Sequence, residues 1–240
     1  MTETVTATTP IQLCKDENPY APHIYNGSYV EQGKPGFLVE LISTTAARMN
    51  LKVEYTRLPW KRCMTQVKAN QYDGLFAIIK TPERQTWAEF PRQQEVMLWP
   101  AQYLVFTGNN STVQWNGENF SGLTHGISAP LGFVVTDKLR ALDALPEYHI
   151  SLKKGLLMTA RNRLNGYVVE EQIGWTTARI MGLEQQLRTL TPVFYTSEWH
   201  LAFSKDFYRD NTELAQELWH ELNIERQNTD SPLLRKYQLH

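Results

Sequence analysis

The sequence has few of the residues that build metal centres or disulfide frameworks. Its two cysteines, Cys14 and Cys63, are too few for a structural zinc site. The six histidines are scattered, and none stands at the i, i+4 or short-loop spacing that metal ligation favours. Metal catalysis is therefore not expected. From the residues alone, the two cysteines could form one bridge or remain free thiols.

An excess of charge of one sign is also absent. There are 24 Lys and Arg residues against 25 Asp and Glu residues, which gives a formal net charge of -1. This balance argues against a nucleic-acid-binding surface and against an acidic tail. Hydrophobic residues make up 42% of the chain, which is enough for a sizeable core. The composition predicts a folded protein that does not bind nucleic acid.

Long apolar runs are lacking as well. The longest candidates, such as 75–79 and 103–106, have the size of a strand and fall short of the roughly 20 residues that cross a bilayer. Residues 1–10 have neither a basic region nor an apolar core, so we expect a flexible lead-in rather than a signal peptide. Two interpretations stay open: a cytosolic protein, or the mature form of an exported one with an added start methionine.

Strand and helix patterns alternate in the first part of the chain. Apolar residues from 38 to 49 recur at three- and four-residue steps, which indicates a helix. The predicted elements are a strand from Ile11, helix 38–49, strand 51–55, helix 59–69, strand 75–79 and a helix start at Thr81-Pro82. This α/β order predicts a mixed sheet with helices on both faces, in which small ligands bind beyond the carboxyl ends of the strands.

A second α/β series follows a polar break at residues 107–111. Its predicted elements are strand 126–128, helix 136–145, strand 149–152, helix 155–164, strand 167–169, helix 171–181 and strand 187–190. Two extended passages, 95–106 and 192–203, bracket the series, and helical patterns at 211–226 and from Ser231 follow it.

This order predicts two α/β lobes joined by two crossing strands. The predicted boundaries are 11–102 and 197–240 for a discontinuous lobe 1, 107–192 for lobe 2, and 103–106 and 193–196 for the hinge strands. A cleft between lobes is a favoured place for a small-molecule site.

Short motifs in both predicted lobes carry a family likeness. They are Asn18–Pro22, Gly36–Leu41, Leu58–Trp60, Tyr72–Gly74, Thr81–Arg84 and Arg163–Glu171. In their order and spacing the chain, from about Ile11 to Tyr237, resembles the bacterial extracellular solute-binding proteins of family 3. These include the polar amino-acid-binding proteins of ABC importers. The resemblance implies a two-lobed, type II periplasmic-binding-protein fold.

The resemblance also implies a function. It suggests the mature form of a periplasmic binding protein, and not an enzyme. The protein would close by a hinge motion around a small amino acid or related carboxylate. A membrane permease of an ABC importer would be its partner, and we expect a monomer without a cofactor.

Two alternatives stay open. One is a cleft enzyme that dehydrates a cyclic acid, with Glu170 or Glu171 as general acid; the other is the ligand-sensing module of a receptor.

By resemblance, Arg84 grips the α-carboxylate of the ligand, because the planar guanidinium matches a carboxylate in a bidentate pair. The alternative is a surface ion pair with Glu83 or Glu89. Tyr20 and Trp60 are expected to form apolar walls of the site, or else to be ordinary core residues.

Further site residues are expected at the other strand ends. Glu171 takes the ligand's ammonium group, or serves only as a charge at a helix start, and Glu170 is the alternative if the register differs by one. The remaining candidates are Asp16 after strand one and the turn of lobe 2, Leu131, Gly132 and Phe133. Where the family commonly has a small hydroxyl residue before the arginine, this chain has Ile79, followed by Lys80. A polar contact is lost there and a cation is gained.

The layout implied by the resemblance bears on whether the two cysteines can form a bridge. It brings Cys14 at the end of strand one and Cys63 near the start of the second helix to the same edge of the sheet. In an oxidising compartment they could form a bridge, and two buried free thiols are the alternative.

Overall fold

A computed structural model describes residues 9–26, 33–92, 96–147 and 149–239. The chain divides into two compact units. Unit 1 comprises Met1–Pro19, His23–Trp99 and Glu198–His240, and unit 2 comprises Tyr20–Pro22 and Pro100–Ser197. Most of the predicted lead-in, residues 1–8, and the predicted start of an extended passage at Glu95 lie outside the described residues.

Unit 1 alternates strands and helices before it ends in three helices. Its elements are β1 Ile11–Asp16, α1 Phe37–Arg48, β2 Val53–Leu58, α2 Trp60–Lys68, β3 Gly74–Ile79, α3 Pro82–Gln85, β4 Ala88–Glu89, the 198–204 part of β11 Tyr195–Ser204, α7 Lys205–Asp210, α8 Thr212–Gln227 and α9 Pro232–Tyr237.

The sheet of unit 1 is mixed, in the order β2-β1-β3-β11. Strand β1 pairs in parallel with both β2 and β3, whereas β11 runs antiparallel to β3 and also pairs with β4. The parallel pairs follow from the crossover helices α1 and α2, since parallel neighbours need a long connection. The carboxyl ends of β1, β2 and β3 therefore share one edge.

The burial patterns explain why the sequence predicted these elements. Helix α1 buries one face that includes Phe37, Leu41 and Ile42, and β3 is buried along nearly its whole length. Strand β2 is half-buried at every position, as expected of an edge strand in the described sheet. The six elements predicted from Ile11 to Thr81 are confirmed, with ends that agree to within three residues.

A disulfide connects the sheet of unit 1 to a helix. Cys14 on β1 and Cys63 on α2 are both fully buried and are bridged, with Cα atoms 5.7 Å apart. The bridge links segments 49 residues apart in sequence and fastens α2 to the middle strand of the three parallel ones.

The C-terminal helix α9 is fastened to the start of α1. The Tyr237 hydroxyl accepts from the Gly36 N–H and donates to Glu40, and the Lys236 ammonium also donates to Glu40. Burial and the hydrogen bond to Glu40 raise the pKa of Tyr237. Gly36 has φ +115°, and a Cβ there would lie 2.3 Å from the His23 carbonyl oxygen. This junction therefore requires glycine.

Lys15 is a buried lysine on β1. It is 6% exposed, and its Nζ lies 5.0 Å from the centroid of the Tyr55 ring. Burial, and secondly the nearby Arg57 charge, lower the pKa of Lys15 from 10.5 to about 8. Between these two values the folded protein binds fewer protons than the unfolded chain, so the stability contributed by this group rises with pH.

We expect the free energy of unfolding of the wild type to rise by about 2 kcal/mol relative to that of Lys15→Met between pH 7 and pH 10. Burial also raises the pKa of Tyr55 and Tyr167. These tyrosines lower the free energy of unfolding above about pH 10, where the unfolded chain loses their protons first, so the comparison ends at pH 10. Urea unfolding at a series of pH values measures the difference. The exposed control Lys61→Met should keep the wild-type profile, and parallel profiles for wild type and Lys15→Met would contradict the prediction.

Unit 2 contains the second α/β series. Its elements are the 100–108 part of β5 Trp99–Gly108, β6 Gln114–Trp115, β7 Phe120–Ser121, β8 Ile127–Ser128, α4 Val134–Ala141, α5 Leu152–Ala160, β9 Gly166–Glu170, α6 Glu171–Ile180, β10 Leu187–Thr189 and the 195–197 part of β11. In its sheet β9 pairs in parallel with β8 and antiparallel with β5, which also pairs with β10.

The predicted strand at 149–152 is wrong. Helix α5 begins at Leu152, and Ser151 occupies its N-cap position. Ile150 and Leu152 are both buried, so their alternation with polar neighbours has the period of a strand. Gly155, taken as the start of the helix, lies inside it, where a Cβ would come within 2.2 Å of the Tyr167 ring. The glycine allows close packing of α5 on β9.

Candidate functional site

The predicted site residues fall into both units. Unit 1 contains Asp16, Trp60, Ile79, Lys80 and Arg84, and unit 2 contains Tyr20, Leu131, Gly132, Phe133, Glu170 and Glu171. Those of unit 1 lie at or just after the carboxyl ends of β1, β2 and β3, the edge where α/β sheets bind ligands.

Arg84 is a buried arginine in the short helix α3, which follows β3. Thr81 caps the short helix α3 by accepting from the Arg84 N–H at 3.2 Å, which confirms the predicted cap. The arginine is 6% exposed, and its Nη1 donates to the Ile79 carbonyl at 2.9 Å. This bond folds the side chain back against the strand end and fixes its direction.

The alternative of a surface ion pair does not describe Arg84, because the side chain is buried. The two candidate partners have other contacts: Glu83 accepts from the Trp87 indole, and Glu89 pairs with Lys205. Helix α3 has only four residues. A helix this short adds little dipole to the attraction of an anion near Arg84, since aligned peptides over many residues build the dipole.

The residues just before Arg84 combine an apolar side chain with a fixed cation. Ile79 is 8% exposed and contributes its carbonyl to Arg84 rather than a hydroxyl to a ligand. The Lys80 ammonium donates to the Pro91 carbonyl at 3.1 Å. This hydrogen bond fixes the Lys80 ammonium against another segment of unit 1.

Asp16 and Trp60 mark the ends of β1 and β2. Asp16 is buried, and its Oδ1 accepts from the N–H and the side-chain amide of Asn18, both at 3.0 Å. This turn orders the loop after β1. Trp60 is the first residue of α2 and is 9% exposed.

In unit 2 two predicted site residues contact each other. The rings of Tyr20 and Phe133 have centroids 5.7 Å apart. Phe133 follows a turn that contains Gly132 at φ +83°, and its N–H donates to the Pro130 carbonyl. Leu131 in the same turn is exposed. The turn therefore places Phe133, which contacts Tyr20, beside an exposed apolar side chain.

The structure distinguishes the two adjacent glutamates. Glu170 is the last residue of β9 and is 2% exposed; its carboxylate accepts from the Ile173 N–H at 3.0 Å and caps α6. Glu171 is the first residue of α6 and is only half-buried. Glu170 is thus the carboxylate held at a strand end, and Glu171 is a charge in the first turn of the helix.

Tyr103 is a residue that the sequence did not single out. It is the cross-strand neighbour of Glu170 in the β5–β9 pair and is 1% exposed. No local pattern predicts that these two residues are neighbours, because the two strands are far apart in sequence. The apolar runs indicate that each segment is a buried strand but do not show that the two strands pair.

The described residues, 9–26, 33–92, 96–147 and 149–239, bear on a metal centre and a membrane span through their side chains and helices. No group of three or more His, Cys, Asp or Glu side chains there is arranged to hold a metal ion. In the same ranges, no helix has the length and apolar character that crossing a membrane requires.

Comparison with known folds gives consistent matches over nearly the whole chain. A histidine kinase sensor domain with similarity to periplasmic binding proteins is 17% identical with a TM-score of 0.76, and 95% of each chain is covered. The substrate-binding protein of an amino acid ABC transporter is 15% identical with a TM-score of 0.71, over 95% of this chain and 99% of that one.

A third structure is the arginine-, lysine-, histidine-binding protein ArtJ from the thermophilic bacterium Geobacillus stearothermophilus. It is 15% identical with a TM-score of 0.74, and 95% of each chain is covered. At these identities the likeness shows the fold, and it confirms the predicted type II periplasmic-binding class.

Sequence comparison identifies the family. No curated protein matches the chain significantly. The model of the bacterial extracellular solute-binding proteins, family 3, matches residues 16–239, which is nearly the whole chain and confirms the resemblance seen in the motifs. The chain therefore belongs to the bacterial extracellular solute-binding proteins of family 3.

Proposed function

We propose that this protein binds a small amino acid or a related carboxylate and that Arg84 holds the carboxylate group. The observation that supports this most is the buried guanidinium at the carboxyl end of β3, fixed by the Ile79 carbonyl. A preoriented arginine loses little freedom on binding and can donate two parallel hydrogen bonds to a carboxylate.

Glu170 is our candidate for the ligand's ammonium group, in place of Glu171. Its buried carboxylate is held at the end of β9 by the Ile173 N–H. A group fixed in this way meets a charged ligand at lower entropic cost than a half-exposed side chain such as Glu171. Tyr20 and Phe133, whose rings are in contact, are candidates for the apolar wall, with Trp60 as another.

The glutamates provide a matched pair of variants. We expect Glu170→Gln to weaken binding of an α-amino acid by about 10-fold or more, because a charged hydrogen bond is lost, while Glu171→Gln changes affinity little. Glutamine keeps an oxygen that can cap α6. Isothermal titration calorimetry measures both. A greater loss of affinity in Glu171→Gln would instead assign the ammonium contact to Glu171, as the family resemblance implies. Equal small effects would show that neither glutamate binds the ligand.

The proposed role includes delivery to a transporter. We propose that the protein works in the periplasm as a monomer, closes around its ligand and delivers it to the permease of an ABC importer. The support is the family assignment and the likeness to the substrate-binding protein of an amino acid ABC transporter. The hinged closure remains a prediction, as do the lobe and hinge boundaries.

A thermal-shift screen of the standard amino acids and small organic acids tests the proposal. A ligand at 100 times its Kd stabilises the folded state by about 2.7 kcal/mol, which corresponds to an increase in Tm of about 5–10 °C for a protein of this size. We expect a response to a small group of related zwitterions or carboxylates. A flat response across the whole panel would contradict the proposal.

A sensory role is a second candidate function. It is supported by the likeness to a histidine kinase sensor domain. Ligand binding would be the same in both roles. Copurification with a permease or with a receptor kinase distinguishes them. An enzyme on this fold is the remaining alternative, and conversion of the ligand during incubation would favour it over a binding protein.

A further inference from the structure

Two positively charged side chains lie next to each other on the sheet of unit 1. Lys15 on β1 and Arg57 on β2 are paired positions of neighbouring parallel strands, so their side chains project from the same face. Lys15 is 6% exposed and Arg57 is half-buried. Neither forms an ion pair with a carboxylate of the described ranges.

The hydrogen bonds around this pair leave donors unused. Arg57 donates through Nη2 to the Tyr25 carbonyl at 2.6 Å, while its buried Nη1 has no hydrogen-bond partner among the described residues. The Lys15 ammonium lies over the Tyr55 ring. Within the same ranges, no acceptor oxygen lies at hydrogen-bond distance from it. The Tyr55 hydroxyl is engaged with Ser43 and the Val39 carbonyl.

The charged groups of the neighbouring elements do not compensate the pair. On α1 the acidic residue is Glu40, which is engaged by Lys236 and Tyr237 of α9. On β1 the next residue, Asp16, projects to the opposite face of the strand. Buried charges are normally paired, and like charges side by side make burial more costly. An anion between Lys15 and Arg57 would offset both the lack of an opposite charge and the repulsion between the two cations.

The position also suits a ligand from solution. Strand β2 is an edge strand of the unit 1 sheet, and its positions are all half-buried. An ion could therefore reach Arg57 without opening the core. A guanidinium nitrogen and an ammonium group, with several N–H donors between them, are the donor set that halides and oxyanions share.

We propose that Lys15 and Arg57 form a binding site for a small inorganic anion, a halide or an oxyanion of phosphate size. The site lies on different residues from the amino-acid site proposed above, and it does not depend on that proposal. The bound anion would stabilise unit 1 beside the segment that contains Tyr25.

Thermal unfolding at pH 7 and constant ionic strength tests the site. Sodium chloride or sodium phosphate replaces the sodium salt of a bulky sulfonate. We expect a saturable increase in Tm of about 2–4 °C in wild type, lost in Lys15→Met and Arg57→Gln and kept in the exposed control Lys61→Met. The two arms distinguish a halide site from an oxyanion site. Equal responses in wild type and Lys15→Met would overturn the proposal.

Crystals of the wild type give a second test that needs no variant. They are soaked in bromide and, separately, in selenate, whose anomalous scattering locates the ions. A peak between Lys15 and Arg57 in either soak, together with the saturable stabilisation, supports the site. Absence of a peak from both soaks would overturn it even if the variants failed to fold.

Discussion

Replacing Arg84 with methionine is expected to weaken ligand binding by about 100-fold or more. Removing one partner of a buried, hydrogen-bonded charge pair costs about 2–5 kcal/mol, and each 1.4 kcal/mol is tenfold in affinity. The conservative variant Arg84→Lys keeps the charge but not the planar fork, so we expect an intermediate loss. Calorimetric titration with the best ligand of the screen measures both variants.

The control for Arg84 is another arginine of unit 1. Arg62 is exposed on α2, and Arg62→Met should bind as the wild type does. Because Arg84 also donates to the Ile79 carbonyl, the unfolding midpoint of each variant must be measured to separate lost binding from lost folding. Folded Arg84→Met with wild-type affinity would remove Arg84 from the site.

Loss of the Cys14–Cys63 bridge is expected to destabilise the protein by about 2–4 kcal/mol. A cross-link over 49 residues restricts the unfolded chain strongly in the chain-entropy model, which gives about 4 kcal/mol as an upper value. The double variant Cys14→Ser/Cys63→Ser should therefore unfold at a Tm lower by about 5–15 °C. Both cysteines are fully buried, so their hydroxyl replacements add to the loss.

A reductant separates the bridge from the packing effect. It should lower the Tm of the wild type and leave that of the double serine variant unchanged. Alkylation of the unfolded wild type without reductant should add no label, whereas two labels per chain would show free thiols and contradict the bridge.

The sequence predicted most of unit 1 because its local patterns agree with its packing. Helix α1 has apolar residues at helical spacing and buries them, and Thr81 caps α3 as its position before Pro82 suggested. The prediction failed at residues 149–152, where two buried apolar residues flank the start of a helix and imitate the alternation of a strand. Short segments of this kind satisfy both periods.

The candidate site was harder to predict than the fold. Glu170 and Glu171 differ by one position, and the end of the buried run Gly166–Val169 does not show which of them closes the strand; only the cap on Ile173 distinguishes them. Lys15 and Arg57 look like the solvated residues of an alternating strand. Their burial depends on tertiary contacts with Tyr55 and Tyr25, which no local pattern contains.

The central claim is that the protein binds a small zwitterion or carboxylate and releases it unchanged. Calorimetric titration of the wild type with the best ligand of the screen, followed by NMR of the recovered ligand, tests it most directly. We predict one site per chain, a Kd in the micromolar range or below, equivalent to about 8 kcal/mol or more, and an unaltered ligand spectrum. No saturable heat with any amino acid or organic acid, or a ligand recovered as a different compound, would contradict the account.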